Sequence, residues 1–274
     1  MKKSIFSLKD KYVLITGALG LLGTQHIQAV ADADGIPIIL DLNQEAIDQK
    51  VLELDSKGIH SLGIKCDLTS EDSVLKLKEK LISDSIPLHS IINNAAINPS
   101  IDGKNASFTR IENTRVSDIY KHIDVSIIGP FLLAKHIHPI ILKNNRYEGV
   151  ILNISSDLGL IAPKQSLYSE SGENFNSENL VKPLAYSIVK TGLLGFTRYL
   201  ATYYNGEIRC NALCPGGVLN NQPEEFLKKV VREIPLGRMA NKDEYKGAII
   251  FLLSDASKYM NGSIVQMDGG RSTW

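Results

Sequence analysis

Tyr186 and Lys190 stand four residues apart in Tyr186-Ser187-Ile188-Val189-Lys190. On a helix that spacing stacks the two side chains on one face. An ammonium near a phenol favours the phenolate and lowers its pKa from about 10. A phenol tuned in this way can give or take a proton near neutral pH. None of the other nine tyrosines has a lysine four residues on. Position adds weight to the pair. It opens a helical stretch, and an earlier apolar run ends in the serine pair Ser155-Ser156.

A second constellation lies near the start, in Thr16-Gly17-Ala18-Leu19-Gly20-Leu21-Leu22-Gly23. It closes one apolar run and opens a helical pattern. Glycine there permits a tight turn and a close approach of backbone to a pyrophosphate. The following helix start offers free N–H groups and a positive dipole end. This makes Gly17, Gly20, Leu21 and Leu22 candidate contacts for a dinucleotide. Asp41 closes the next apolar run, 24 residues after Gly17. A carboxylate at that point can accept from the adenosine ribose hydroxyls. It would repel a 2′-phosphate, and no Arg or Lys lies between Asp41 and Gln49 to offset this. NAD(H) is therefore expected over NADP(H). The competing reading makes Asp41 the N-cap of the helix that follows.

Seven short β-rich runs must position these groups: 12–16, 36–41, 62–66, 88–93, 150–155, 208–213 and 264–267. Helical patterns alternate with them at 21–33, 44–57, 71–84, 114–144, 184–204, 224–233 and 242–254. Strand and helix in alternation predict a parallel sheet covered on both faces. Right-handed crossovers then give an α/β doubly wound, Rossmann-type sheet of about seven strands. No repeat or linker breaks the 274 residues, so one domain over 1–274 is expected. Ile161 to Pro183 interrupts the rhythm with a polar stretch lacking period, and a loop of that length is commonly functional.

Lys+Arg and Asp+Glu number 30 each, which argues against a nucleic-acid footprint. Three cysteines, Cys66, Cys210 and Cys214, do not make a disulfide framework, and no metal site is expected. The N-terminal residues lack an apolar run of signal length, and the greasiest stretch, 125–134, is too short to span a bilayer. The expectation is a cytoplasmic protein without a membrane partner.

With these residues in place, the chain resembles the short-chain dehydrogenase/reductase family over nearly its whole length. The resemblance rests on TGALGLLG (16–23), Asp41, CDL (66–68), NNAA (93–96), ILNISS (151–156), YSIVK (186–190), CPGGV (214–218), PLGRMANKDEY (235–245) and MDGG (267–270). It implies that Tyr186 is the catalytic acid/base. It implies that Lys190 holds the nicotinamide ribose and lowers the tyrosine pKa, and that Ser156 hydrogen-bonds the reacting oxygen. Asp67 and Leu68 would sit by the adenine, and Asn94 and Ala95 would line the adenosine half. Pro215, Gly216 and Val218 would line the nicotinamide. A homotetramer or dimer through helices 114–144 and 184–204 is also implied.

Three departures from the family pattern stand out. Leu21 occupies the usual second-glycine place, and Gly20 is expected to supply the freedom one residue earlier. Ser126 stands where the family usually has an asparagine that kinks the helix and anchors a relay water. Ser156 and Tyr186 are 30 residues apart where about a dozen is usual, so the 161–183 insertion falls beside the substrate. That insertion, with TRYLATYY (197–204) and the terminal DGGRSTW, resembles reductases of flagellin modification and the nonulosonic-acid pathway. Such a resemblance implies a polar sugar or amino-sugar substrate. Lys164, Gln165, Ser166, Ser169, Glu173, Asn174, Asn176 and Lys182 offer it donors and acceptors.

Tyr168 lies 12 residues after Ser156, the usual family spacing, but Gly172 stands four residues beyond it, so it is set aside as the acid/base. His136 and His138 should face different ways. Phe131, Leu132 and Leu133 are expected in the core or at a subunit contact, and Trp274 as an interface anchor or a frayed end. The first functional reading is an NAD(H)-dependent oxidoreductase acting on a polar carbinol or carbonyl. The second is a dinucleotide-binding regulator or scaffold that has lost chemistry. Ser126 favours it, and intact Ser156, Tyr186 and Lys190 oppose it. Within the enzyme class a small polyol or aldonate, a steroid-like alcohol and an acyl thioester stay open, and the polar insertion counts against the apolar two.

Overall fold

The seven apolar runs form seven strands: β1 (Tyr12–Thr16), β2 (Ile36–Asp41), β3 (Leu62–Lys65), β4 (Leu88–Asn93), β5 (Gly149–Ile154), β6 (Ile208–Pro215) and β7 (Ile264–Met267). The computed structural model describes residues 4–98, 110–145, 148–168 and 181–274. The strands make one parallel sheet in the order β3-β2-β1-β4-β5-β6-β7. The order reverses between β1 and β4, which opens a crevice at the carboxyl ends of the strands. β1, β2, β4, β5 and β6 end at Thr16, Asp41, Asn93, Ile154 and Pro215, so the sequence-predicted site residues at their ends share one edge.

The sheet is covered on both faces because its strands are apolar on both. Val13 and Ile15 pack with Ile27, Val30 and Ile47 of α1 (Gly23–Asp32) and α2 (Gln44–Asp55). Leu14 faces the other way, with Leu77 and Leu81 of α3 (Glu71–Ser83). Ile38 and Leu40 alternate with Ile39 in the same manner. This is the two-residue period of a strand buried on both sides.

The predicted helix over 114–144 is broken. It consists of α4 (Val116–Ile123), a π turn (Asp124–Ile128), α5 (Gly129–His136) and α6 (His138–Asn145). Pro130 brings no N–H to the carbonyl of Ser126, four residues back, and a widened turn forms there. Pro139 does the same to Lys135, and the chain bends by 46° at Ile137. α7 (Leu184–Tyr203) runs unbroken for 20 residues. α8 (Glu224–Val230) ends in a 3₁₀ turn over 231–233. α9 (Lys246–Leu253) starts later than the predicted 242, because Glu244 is drawn into a fork from Arg238 and accepts from the Asn241 N–H. Among the described residues no single helix is long and apolar enough to cross a membrane.

Leu14 and Ile15 are both fully buried, on opposite faces. We therefore predict that Leu14→Ala and Ile15→Ala each cost about 2–5 kcal/mol in urea unfolding. A cost under about 1 kcal/mol for either would mean that its face is not core.

Candidate active site

The dinucleotide end is built around Thr16. Its Oγ1 donates to the Ile92 carbonyl (3.3 Å) and accepts from the N–H groups of Asn94 (2.9 Å) and Ala95 (3.0 Å). The Asn94 amide donates to the carbonyls of Thr16 (2.9 Å) and Gly17 (3.0 Å). β1 and β4 are thereby tied together beyond their last paired residues. Gly17 has φ +57°, and a Cβ there would lie 2.9 Å from the Ala95 Cα. A Cβ on Gly23 would lie 2.2 Å from the Gly17 carbonyl oxygen. Both glycines are thus required by space, and Gly17 by conformation as well.

Gly20 differs from expectation. Its φ is not positive, so it supplies no conformational freedom in place of Leu21. It closes a turn instead, its N–H donating to the Gly17 carbonyl at 3.1 Å. Leu21 is tolerated because its side chain points outward, 41% exposed. Leu22 begins α1 without a side-chain cap, leaving a helix N-terminus of the kind that binds phosphate.

Asp41 faces this loop. Its Oδ2 accepts from the Leu19 N–H (3.0 Å) and its Oδ1 from the Leu42 N–H (2.8 Å). Asn43, not Asp41, caps α2, accepting from the Ala46 N–H. The capping reading of Asp41 is thereby overturned, and each carboxylate oxygen keeps a further lone pair. Asp67 folds its own loop by accepting from Thr69 N–H (2.9 Å) and Oγ1 (2.7 Å). Leu68 is buried against Gly129, where a Cβ would come within 2.9 Å of its own. On the far side Gly216 donates to the Met267 carbonyl and accepts from the Tyr245 hydroxyl. Val218 pairs with Ala240 just beyond Pro215. Glycine loop, Asp41 carboxylate and uncapped helix together fit a dinucleotide.

The reacting centre gathers where β5 meets α7. Ser155 Oγ donates to the Lys190 carbonyl (2.7 Å), and Lys190 Nζ donates back to the Ile154 carbonyl (2.8 Å). Gly159 permits this approach, since its Cβ would fall 2.8 Å from the Lys190 carbonyl oxygen. Lys190 is buried, and burial lowers its pKa to about 8. Its Nζ lies 5.7 Å from the Tyr186 ring centroid. The phenol does not behave as the sequence predicts in this state. Burial raises the Tyr186 pKa, and the opposing influence is a hydrogen bond with Ser156 rather than Lys190. Depression of the phenol by the lysine charge is thus not present, because removing the ring from water costs the anion more than the neighbours return.

Ser156 Oγ donates to Asp157 Oδ1 (2.8 Å) and accepts from the Leu158 N–H (3.2 Å). Asp157 is 2% exposed and is matched by Arg271, whose Nη1 donates to Oδ2 at 2.7 Å. Sequence reasoning missed this pair, because Arg271 lies 114 residues away in the terminal DGGRSTW. Asn153 was also missed. It accepts from Asn93 (2.7 Å) and donates to Thr197 (2.8 Å), bracing β5 against β4 and α7. Its place in ILNISS was the available signal.

Ser126 lies within the π turn, buried, and among the described residues its Oγ has no hydrogen-bond partner. The turn widens there with serine in the asparagine's place, and the 46° bend of the chain falls later, at Ile137. Tyr168 packs on Phe226 (5.5 Å between rings), and burial pushes its phenol up to about 12. His136 meets Glu71, and His138 meets the Ala134 carbonyl. Leu132 and Leu133 are core, whereas Phe131 is 45% exposed. All three thiols are free and buried, and burial raises each thiol pKa. Trp274 is tethered, its Nε1 donating to the Glu233 carbonyl. Within the insertion, Lys164 pairs with Glu233, Gln165 accepts from the Lys182 N–H, and Ser166 sits in a 3₁₀ turn. Ser169, Glu173, Asn174 and Asn176 lie outside the described residues.

A family model described as enoyl-(acyl carrier protein) reductase matches residues 21–272. The chain is similar to 2-dehydro-3-deoxy-D-gluconate 5-dehydrogenase of Formosa agariphila, 28% identical over 98% of this chain and 96% of that one. It is similar to post-translational flagellin modification protein A of Campylobacter coli, 27% identical over 96% and 98%. Among solved structures it matches a short chain dehydrogenase of Leptospira borgpetersenii with bound NAD+, with TM-score 0.83 and 27% identity over 99% and 96% of the two chains.

Removing one partner of the buried Asp157–Arg271 pair strands the other. We predict that Arg271→Leu lowers unfolding stability by roughly 3–5 kcal/mol and that adding Asp157→Asn recovers part of it. Equal stability of Arg271→Leu and the parent in guanidinium titration would refute the structural role.

Proposed function

The chain belongs to the short-chain dehydrogenase/reductase family, and we propose that it moves hydride between NAD(H) and a carbinol or carbonyl carbon of a polar, sugar or amino-sugar molecule. It is an oxidoreductase of alcohol and carbonyl groups, and the proposal concerns which dinucleotide and which substrate. The observation that carries it is the convergence of Ser156, Tyr186 and Lys190 at the sheet edge that also holds the glycine loop and Asp41.

Nicotinamide supplies or accepts the hydride when bound, and the protein positions it and handles the proton. Gly17, the Leu21–Leu22 amides and Asn94 with Ala95 would hold the pyrophosphate and adenosine half, and Pro215, Gly216 and Val218 the nicotinamide half. Lys190 has three N–H donors, of which Ile154 takes one, leaving two to orient a ribose. Ser156 has a single O–H. Its hydroxyl donates to Asp157, so donation to a substrate oxygen requires that it turn. Tyr186 Oη is the proton exchanger for that oxygen, as acid in carbonyl reduction and base in alcohol oxidation.

Asp41 supports NAD(H), since a carboxylate beside the glycine loop would repel a 2′-phosphate. The polar rim of Lys182, Asn98 and Gln165, and the names of the two relatives above, support a hydroxylated substrate. The same reading takes the protein as a homo-oligomer through α4 and α7. Val116, Tyr120, Tyr199 and Tyr203 are exposed there, the last two with rings 5.9 Å apart.

Four outcomes are expected. In thermal-shift titration NADH should stabilise the protein, by about 2.7 kcal/mol at 100 times its Kd, and NADPH should do so much less. Asp41→Ala should narrow that gap by about tenfold in affinity. Equal shifts with both dinucleotides in the parent would sink the NAD assignment. Tyr186→Phe should cut turnover by about 10²–10⁴ while NADH binding stays within twofold. Because burial raises the phenol pKa, alcohol oxidation in the parent should climb with pH through the alkaline range. Undiminished turnover in Tyr186→Phe would refute the proton role.

A further inference from the structure

Lys182 stands outside the Ser156–Tyr186–Lys190 set, yet its ammonium lies 4.1 Å from the centroid of the Tyr186 ring. Asn98 Oδ1, on the segment leaving β4, accepts from Nζ at 2.8 Å. Gln165 Oε1, in the insertion, accepts from the Lys182 backbone N–H at 3.0 Å. Asn98 therefore holds the ammonium at the face of the Tyr186 ring, and Gln165 holds the backbone that carries it.

Beyond the Asn98 hydrogen bond and the face of the Tyr186 ring, no group among the described residues is free to neutralise this cation. Among the described residues no carboxylate lies within ion-pair distance of it. Asp157 is the acid that acts on it, and that group is committed to Arg271, Leu158 and Ser156. Arg271 opposes it as a like charge, and burial lowers its pKa to about 8. Lys182 also precedes α7, a 20-residue helix without a side-chain cap, whose positive dipole end disfavours a cation. His122 on α4 is also buried: burial lowers its pKa, Asp118 raises it and the Lys182 charge lowers it, and among the described residues its Nδ1 has no partner. Each of these costs is reduced by an anion bound beside Nζ.

We infer that Lys182, steadied by Asn98, is an anion subsite, and that the substrate is a hydroxylated carboxylic acid whose carboxylate binds Lys182 while its carbinol or carbonyl faces Ser156 and Tyr186. A single ammonium with an amide beside it suits a monoanionic carboxylate. Arg271, the neighbouring side chain suited to forked phosphate recognition, is taken by Asp157. The pairing of Arg271 with Asp157 also removes a negative charge that would repel such a substrate. The inference rests on the proposed polyol-type substrate and narrows it to acids.

D-Gluconate and D-glucitol, six-carbon chains differing in a carboxylate against an alcohol, serve as probes in calorimetric titration of the protein, free and saturated with NADH. Gluconate should bind at least tenfold tighter than glucitol. Lys182→Met should abolish that preference while NADH affinity stays within twofold, and Lys182→Arg should keep most of it. No preference in the parent, or a preference surviving in Lys182→Met, overturns the subsite. The readout is binding, so it is independent of hydride transfer. Gluconate held through Lys182 without turnover of any alcohol would overturn the redox reading and leave the subsite standing. Turnover of neutral polyols by the parent, with no gluconate preference in binding, would do the reverse.

Discussion

The contact between Gly17 and Ala95 governs the architecture of this protein. At the point where strand order reverses, the loops leaving β1 and β4 come so close that a methyl group on Gly17 would fall 2.9 Å from a backbone carbon. Thr16 and Asn94 hold them there with four hydrogen bonds of 2.9–3.0 Å. That closeness aims the start of α1 into the crevice, brings Leu19 within reach of Asp41, and leaves the edge beside β5 open for chemistry. Gly23 is required for the same reason one turn later. Gly20 is not bound by it, which is why the departure from the usual glycine spacing leaves the loop intact.

The charges of the reacting centre are arranged in layers around that edge. Asp157 and Arg271 neutralise each other in the interior and hold the residue next to Ser156 in place. Lys190 is buried behind Tyr186, and Lys182 lies over its ring. Burial raises the Tyr186 pKa, the Ser156 hydrogen bond lowers it and the Asp157 charge raises it, so exclusion of water outweighs the favourable contact.

The π turn at Asp124–Ile128 forms where Pro130 withholds the N–H that the Ser126 carbonyl would otherwise receive. Serine at 126 lacks an amide, which can accept and donate at once. Among the described residues the buried Ser126 hydroxyl has no hydrogen-bond partner.

Periodicity and punctuation were enough to read seven strands, their parallel order and two covered faces, since alternation such as Leu14 against Ile15 is a local property of the chain. That the glycine loop, Asp41, Ser156 and the start of the Tyr186 helix would share one edge was legible for the same reason: each lies at the end of an element that its own sequence specifies. Helix breaks were less legible. Pro130 and Pro139 were visible, but whether a proline kinks, widens or ends a helix depends on what packs around it. Arg271 against Asp157, Asn153 between Asn93 and Thr197, and Lys182 over Tyr186 were not legible at all. These contacts join residues far apart in the chain, and only the closing of the sheet decides which distant side chains share a buried space. The same holds for the ionisation of Tyr186, which spacing predicts from one neighbour and the tertiary structure sets by the water it excludes.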